Sequence, residues 1–462
     1  MTEQWQACGL PSFWLSEMVP LERRMPLRSS LELDVAIVGG GYSGLWTALY
    51  LSELDPALKV GIFERETVGY GASGRNGGWV SSIFPVPMAK VSRQYGRLIA
   101  QNLAKELVET VDEIGSKVAD LGIDCAFSKA GKLSLIRSPA QASRSIAEVE
   151  EDEEIGNPTS TTILDKKETE SYLMATYTTG ATFSGACASV QPARLVRGLA
   201  TALERRGVTI FEDSEVTSIQ SGSLRVGSYR VSADKIVVAT EGYTGRFSQW
   251  RRQLLPLYSM MIATDPLTDA QYEQIGSPPL GLCFADHRNL RIYGQVTSDR
   301  RIAFGGRGAP YHWGSIVRKA NDVHGPTRDV LQRELIKLLP QLDGIRFVRH
   351  WGGPLGVSRD WFPRVVPNQD GKLWRIGGYA GDGVALSNLV ARVTARQIVG
   401  ASDKSAASTV FARQERKWEP EPFRWLGINL GLAVTRLVDE LEDRGIEAKR
   451  IDKIRRILIG QE

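Results

Sequence analysis

An apolar run, Leu33-Asp-Val-Ala-Ile-Val38, breaks into Gly39-Gly-Gly-Tyr-Ser-Gly44 and then into helix-forming residues. A chain that turns this tightly from strand to helix needs glycine for three separate reasons. Gly39 allows the bend, Gly41 lets the backbone approach a pyrophosphate, and Gly44 lets the helix pack close to its strand. The helix read over residues 45–54 then aims its N-terminal amides at the diphosphate. A second strand, residues 59–63, ends at Glu64, 20 residues beyond Gly44. An acidic side chain there accepts hydrogen bonds from an adenosine ribose and disfavours a 2′-phosphate, so NADP fits worst. The spacing predicts a dinucleotide-binding unit, with a purely structural glycine turn as the alternative.

The chain has 462 residues, beyond the size at which a single core stops growing, so two lobes are expected. Net charge is only +4 and the bases are interleaved with acids, which gives nucleic-acid binding no electrostatic support. Residues 439–456, mixed in charge, read as a solvated helix. The cysteines (Cys8, Cys125, Cys187, Cys283) form no C-x-x-C and read as free thiols. The histidines (His287, His312, His324, His350) show no metal-ligand spacing, so no metal site is expected. No apolar run reaches membrane-spanning length, and residues 1–28 lack a signal-peptide apolar block. Trp5, Phe13 and Trp14 among Pro11, Pro20 and Pro26 suggest an extended arm over the surface. A cytoplasmic location is the expectation.

Beyond the first unit lies a glycine-rich loop, Val68-Gly-Tyr-Gly-Ala-Ser-Gly-Arg-Asn-Gly-Gly78. Apolar residues at mostly three- and four-residue spacing from Val91 to Leu121 predict one long amphipathic helix, or two joined end to end. Residues 122–185 mix short strand signals with polar helix. A helix over 192–206 leads to strand signals at 208–211 and 214–219, then to a buried parallel-type strand, Lys235-Ile-Val-Val-Ala-Thr240. Residues 251–317 alternate as a separate, mainly antiparallel sheet, and a strand-to-helix pattern returns at 373–400. The α/β pieces therefore recur with different material between them, as in a nucleotide-binding domain assembled from discontinuous segments.

Four stretches together resemble the D-amino-acid oxidase superfamily of FAD-dependent amine oxidoreductases. They are Asp34-Val-Ala-Ile-Val-Gly-Gly-Gly-Tyr-Ser-Gly44, Gly71-Ala-Ser-Gly-Arg-Asn-Gly-Gly78, Lys235-Ile-Val-Val-Ala-Thr240 and Gly377-Gly-Tyr-Ala-Gly-Asp-Gly-Val384. Within the superfamily the chain is most similar to the gamma-glutamylputrescine oxidase branch, through Gly74-Arg-Asn-Gly-Gly78 and Trp418-Glu-Pro-Glu-Pro-Phe-Arg-Trp425. The resemblance implies a mixed α/β (α+β) fold. Its discontinuous Rossmann-type FAD-binding domain spans 30–90, 186–250 and 345–400, interleaved with a β-rich substrate domain at 91–185 and 251–344. Residues 1–29 form an N-terminal arm and 401–462 a C-terminal helical extension.

The resemblance also implies which residues meet the cofactor. Gly39, Gly41, Tyr42, Ser43, Gly44, Glu64 and Arg65 form the adenosine-diphosphate side, with Val216 presenting backbone to the adenine and Ala239 and Thr240 near the diphosphate. Ser73, Arg75, Asn76, Gly77 and Gly78 pass along the isoalloxazine ring, where Arg75 or Asn76 hydrogen-bonds ring heteroatoms; the alternative is a flexible surface loop. Gly378, Gly381, Asp382, Gly383 and Val384 lead into a helix read over 385–399 that faces the flavin N1–C2=O locus, with Asp382 as a cap for the turn or helix. Some relatives attach flavin covalently to a histidine; Arg75-Asn-Gly-Gly-Trp79 contains none, so FAD is expected to be non-covalent.

Arg349-His-Trp-Gly-Gly-Pro-Leu-Gly356 matches a segment that crosses the flavin face, which makes Trp351 and Gly352 active-site wall residues; a core tryptophan is the alternative. His350 is read as pointing away from its neighbours. Trp351, Tyr293 and Arg291 form the expected catalytic set. Arg307 and Arg291 suit a carboxylate grip and Tyr258 a wall, with surface or sheet-edge roles equally open. Sarcosine-oxidase-like members place a lysine near the flavin, but none occurs here between His287 and Val317. The implied reaction on a small-molecule amine transfers a hydride equivalent from the CH–NH bond to flavin N5, and water hydrolyses the imine. Oxygen is the expected acceptor, yielding hydrogen peroxide. The rivals are an amine dehydrogenase serving a quinone or protein carrier, a flavin module acting on a macromolecule such as tRNA, and NAD-only binding. The amphipathic stretch from Trp425 onward would be the carrier's docking face, or simply a helix packed on the FAD domain.

Overall fold

The computed structural model describes residues 10–18, 20–156, 161–446 and 448–459; Trp5 and Cys8 lie outside the described residues. The first sheet runs in the order Arg364–Pro367, Leu373–Gly377, Tyr229–Val238, Leu31–Val38, Val60–Phe63, Thr209–Phe211. Its inner pairings are parallel and only the Arg364–Pro367 edge is antiparallel. The hairpin Val216–Gln220 and Ser223–Val226 hangs from Tyr229–Val238. These strands are near-continuous apolar runs because both faces are covered. The helices Tyr42–Leu54, Pro192–Glu204 and Gly383–Ile398 contribute to the main core with them.

Parallel pairing puts the carboxyl ends of Leu31–Val38 and Leu373–Gly377 at one edge of the sheet. The helices that follow, Tyr42–Leu54 and Gly383–Ile398, start there and pack against each other. The first begins at Tyr42, three residues before its expected start. Gly39 has φ +112°, and a Cβ there would stand 2.6 Å from the Ala239 carbonyl oxygen. A Cβ on Gly44 would collide with the Gly39 carbonyl. Both glycines are therefore demanded by packing as well as by the turn.

The second sheet has eight strands in the order Phe347–Ser358, Leu254–Thr264, Ile302–Gly306, Ile292–Val296, Cys283–Asp286, Lys132–Ile136, Gly180–Ser184, Thr162–Leu164. Only Cys283–Asp286 against Lys132–Ile136 is parallel. Alternate residues on one face, among them Leu133, Leu135, Phe284, Phe304, Met260 and Ile262, enter a core with Gly325–Leu338. The opposite face carries Tyr293, Gly305 and Met261 in register toward the first lobe.

Two boundaries differ from the sequence reading. Phe347–Ser358, expected with the FAD-binding segment 345–400, pairs along its length with Leu254–Thr264 in the second sheet. Alternation marks a strand without naming its sheet. Arg97–Asp120, expected with the substrate domain at 91–185, packs into the first lobe's core through Leu103, Leu107, Val111 and Ile114. The stretch after Ala89 is the second of the two forms expected, Met88–Tyr95 and Arg97–Asp120 meeting at Gly96 with φ +90°.

A buried ion pair ties the lobes. Arg75, from the glycine-rich loop, has its side chain 1% exposed and meets Asp322 of the second lobe at 2.6 Å. The same guanidinium donates to the Tyr70 carbonyl at 2.6 Å and the Gly352 carbonyl at 3.0 Å. Removing the carboxylate would strand a buried cation, which costs about 3–5 kcal/mol. Asp322→Asn should therefore lower the denaturant midpoint by an amount corresponding to about 3 kcal/mol. A loss below about 1 kcal/mol would mark the pair as no stronger than a solvated one.

Candidate active site

A cavity of about 390 Å³ runs along the sheet edge where the two helices start. Gly39, Gly41, Tyr42, Ser43, Glu64, Arg65, Ser73, Asn76, Val216, Ala239 and Thr240 line it, and so do Gly381, Gly383 and Val384. No N-cap side chain caps either helix: Gly41 has none to offer, and Asp382 makes no capping bond. The orphan amides of two helices thus face one space, an arrangement suited to phosphate and to other oxygen-bearing groups. Ser43 and Tyr379 bridge the two helix starts through their hydroxyls at 2.7 Å.

Glu64 lies where the second strand ends. Its carboxylate accepts from the Gly40 amide at 2.8 Å and the Glu66 amide at 3.0 Å. Burial pushes this carboxyl above the usual carboxylate range against those two amides. Glu241, unremarked in the sequence, also lines the cavity and accepts from the amides of Gly378 at 2.9 Å and Tyr379 at 3.2 Å. It pins the Gly377–Tyr379 turn to the end of Tyr229–Val238, and burial pushes it up to about 7. The available signal was a charged residue directly after a buried strand.

The loop 71–78 is an ordered wall rather than a free surface loop. Ser12 donates to the Gly74 carbonyl at 2.6 Å, Trp351 to that of Arg75 at 2.9 Å, and Trp14 to that of Asn76 at 2.9 Å. Asn76 ties the loop to itself through Ala72, Ser73 and Gly78. The arm around Phe13–Ser16 is therefore a buried helical turn behind the loop, not an extended strap.

The second sheet meets this wall edge-on. The Tyr293 ring stands where a Cβ on Gly77 would lie, 2.6 Å away, and its hydroxyl reaches Ser259 at 2.8 Å. Gly78 abuts Gln295 in the same way. Arg291 and Arg307 follow one register step from Tyr293, with the Arg307 amide on the Arg291 carbonyl at 3.4 Å. Arg307 donates to the Ala380 carbonyl at 2.8 Å, beside Gly381. Burial pushes the Asp382 carboxyl up, opposed first by Arg307 and then by Arg291 and Lys132.

Several expected site residues lie elsewhere. Trp351 is 1% exposed in an aromatic cluster with Phe13 and Trp14, so it buttresses the loop instead of walling the cavity. Gly352 faces Met260 and Arg75 turns to Asp322, both away from the cavity lining. Gly44 is a packing residue, Gly378 supports the turn held by Glu241, and Asp382 caps nothing. Tyr258 is buried on the opposite face, in the second lobe's core. His350 has one ring nitrogen near the Met261 carbonyl at 3.1 Å and the other accepting from the His324 amide at 3.0 Å, which leaves no atom for base chemistry. Cys125, Cys187 and Cys283 are free and buried, and no metal-ligating cluster occurs among the described residues.

Residues 34–397 match the family described as DAO, FAD dependent oxidoreductase. Gamma-glutamylputrescine oxidoreductase of Escherichia coli (strain K12) is 27% identical over 383 residues, covering 82% of this chain and 86% of the relative. The probable oxidoreductase OrdL of Haemophilus influenzae is 27% identical over 391 residues, covering 82% and 86%. The crystal structure of glycine oxidase from Geobacillus kaustophilus superposes with a TM-score of 0.67 at 22% identity, covering 84% of this chain and 100% of that one. Paired helix starts, a glycine backbone and a cavity lined from Glu64 and Val216 to Gly381 and Val384 fit the group that family binds. The chain belongs to the DAO family of FAD-dependent oxidoreductases, and its cofactor is FAD.

Proposed function

We propose that this enzyme oxidises the CH–NH bond of a small amine or amino acid to an imine, which water hydrolyses, with oxygen as the acceptor and hydrogen peroxide as the second product. The observation that carries the reading is the abutment of Tyr293 on Gly77. It brings the second lobe's polar face, with Arg291 and Arg307, against the loop that walls the cofactor cavity. FAD, when bound, supplies the two-electron acceptor for the C–H bond. Tyr293 and Arg307 fix the orientation of the substrate, and the guanidiniums offer a carboxylate a forked grip. Among the described residues the cavity is lined by no histidine or cysteine, in keeping with non-covalent FAD.

Three substrate groups are worth testing: a gamma-glutamylated amine, an N-methyl amino acid and a D-amino acid. Anaerobic addition of the right one should bleach the flavin absorbance of the purified protein, and air should restore it with release of one peroxide per turnover. Failure of every amine to bleach the flavin would reject amine oxidation. Bleaching followed by very slow return in air would reject oxygen and favour a carrier.

The proposed role of Glu241 as the pin of the flavin-side turn gives a pH test. Its pKa is about 7 in the folded protein against 4.5 unfolded, so the folded state holds a proton that the unfolded state releases. Its stabilisation is full below 4.5 and is lost as pH rises through 7, a span worth roughly 3 kcal/mol. The wild type should lose stability relative to Glu241→Gln across that window in denaturant titrations. Parallel curves for the two proteins would contradict the assignment.

A further inference from the structure

We propose that the surface formed by residues 311–316 and the start of helix Phe423–Asp443 docks the enzyme on a membrane face that carries anionic lipid. The inference is independent of the amine and of the electron acceptor. Trp313, Ile316, Phe423, Trp425, Leu426 and Leu430 are between 37% and 68% exposed, which is a large apolar surface for a soluble chain to leave open. Phe423, Leu426 and Leu430 recur at three and four residues and so line one edge of the helix. Trp313 meets Trp425 with ring centroids 6.3 Å apart, joining the two segments.

The patch is built rigid. Glu421 accepts from the Tyr311 hydroxyl at 3.0 Å, the Gly314 amide at 3.0 Å and the Trp425 amide at 2.9 Å. Asn429 and the Tyr311 backbone exchange hydrogen bonds at 3.2 Å. Aromatic and leucine side chains held outward on a firm base suit the headgroup boundary of a bilayer. No described helix is long and apolar enough to cross a membrane, so the contact is a surface one.

The surrounding charges select the lipid. Nearby acids are spent internally: Glu415 on Arg375, Glu419 on Arg359 and Glu421 on Arg424. Arg318, Arg416 and Lys417 are exposed and make no ion pair among the described residues. Each such base near an anionic leaflet adds attraction that salt weakens. A two-fold contact between copies would instead bring this excess of bases against itself. The platform also borders the substrate side, since Arg436 of the same helix donates to the Gly308 carbonyl next to Arg307.

The test is co-sedimentation of the FAD-loaded enzyme with vesicles of phosphatidylcholine alone, or of phosphatidylcholine mixed with phosphatidylglycerol. Wild type should pellet with the mixed vesicles and not the neutral ones, and added salt should release it. The double variants Leu426→Glu with Leu430→Glu, and Arg416→Glu with Lys417→Glu, should each reduce partitioning about tenfold or more. Unchanged flavin absorbance and circular dichroism would show that they fold. Wild type remaining in the supernatant with mixed vesicles overturns the proposal, as does undiminished binding by the charge-reversed variant. Sedimentation velocity showing a dimer that the leucine variant splits also overturns it, by assigning the patch to a second copy.

Discussion

Two helices of the first lobe begin without a capping bond from their own N-cap residues, at the same edge of one parallel sheet and against one cavity, and only the Tyr42 amide finds a side chain, the Ser73 hydroxyl at 2.8 Å. A helix start leaves several amides without intrahelical partners, and burying them unpaired is costly. The fold resolves this by leaving room for a ligand whose oxygens complete both starts. Parallel strands make the arrangement possible, because each strand delivers its helix to the same side. The strand Tyr229–Val238 lies between the other two and supplies Ala239, Thr240 and Glu241 to the space they share. A lone capped helix at either position would remove half of the site.

The second lobe completes what the first begins. Its sheet sends one face into its own core and the other, with Tyr293, Arg291 and Arg307, toward the glycine-rich loop. That loop is held from behind by three carbonyl contacts, from Ser12, Trp14 and Trp351. It is clamped sideways by Arg75 on Asp322. The loop is therefore a stiff partition between the cofactor cavity and the polar face of the second sheet. Stiffness matters there because oxidation of a C–H bond depends on close and constant orientation of the reacting groups.

The parts of this arrangement that depend on neighbours in sequence were legible. Gly39, Gly41, Glu64, Val216, Ala239 and Thr240 sit in short patterns whose physics is local, and all of them line the cavity. Residues whose surroundings come from afar were not. Trp351 carries the same local signal whether it walls a site or fills a core, and only the arrival of Phe13 and Trp14 decides between them. Arg75 could not be separated from a flavin contact without Asp322, which lies on the other lobe. Phe347–Ser358 alternates as any half-buried strand does, so its sheet was undetermined until its partner Leu254–Thr264 was known. Glu241 left a faint trace, since a charge directly after an apolar strand needs a buried partner.

Gly41 isolates the cofactor from the fold better than any other position. Its φ is −93°, open to any residue, and the atom nearest a new Cβ is the movable Ser73 hydroxyl oxygen at 2.9 Å. Gly39 and Gly44, by contrast, meet backbone. The absorbance spectrum of purified Gly41→Leu is thus the most direct measurement. The expected result is a cooperatively folded protein without the flavin bands that the wild type carries. Full flavin occupancy in that variant would contradict it.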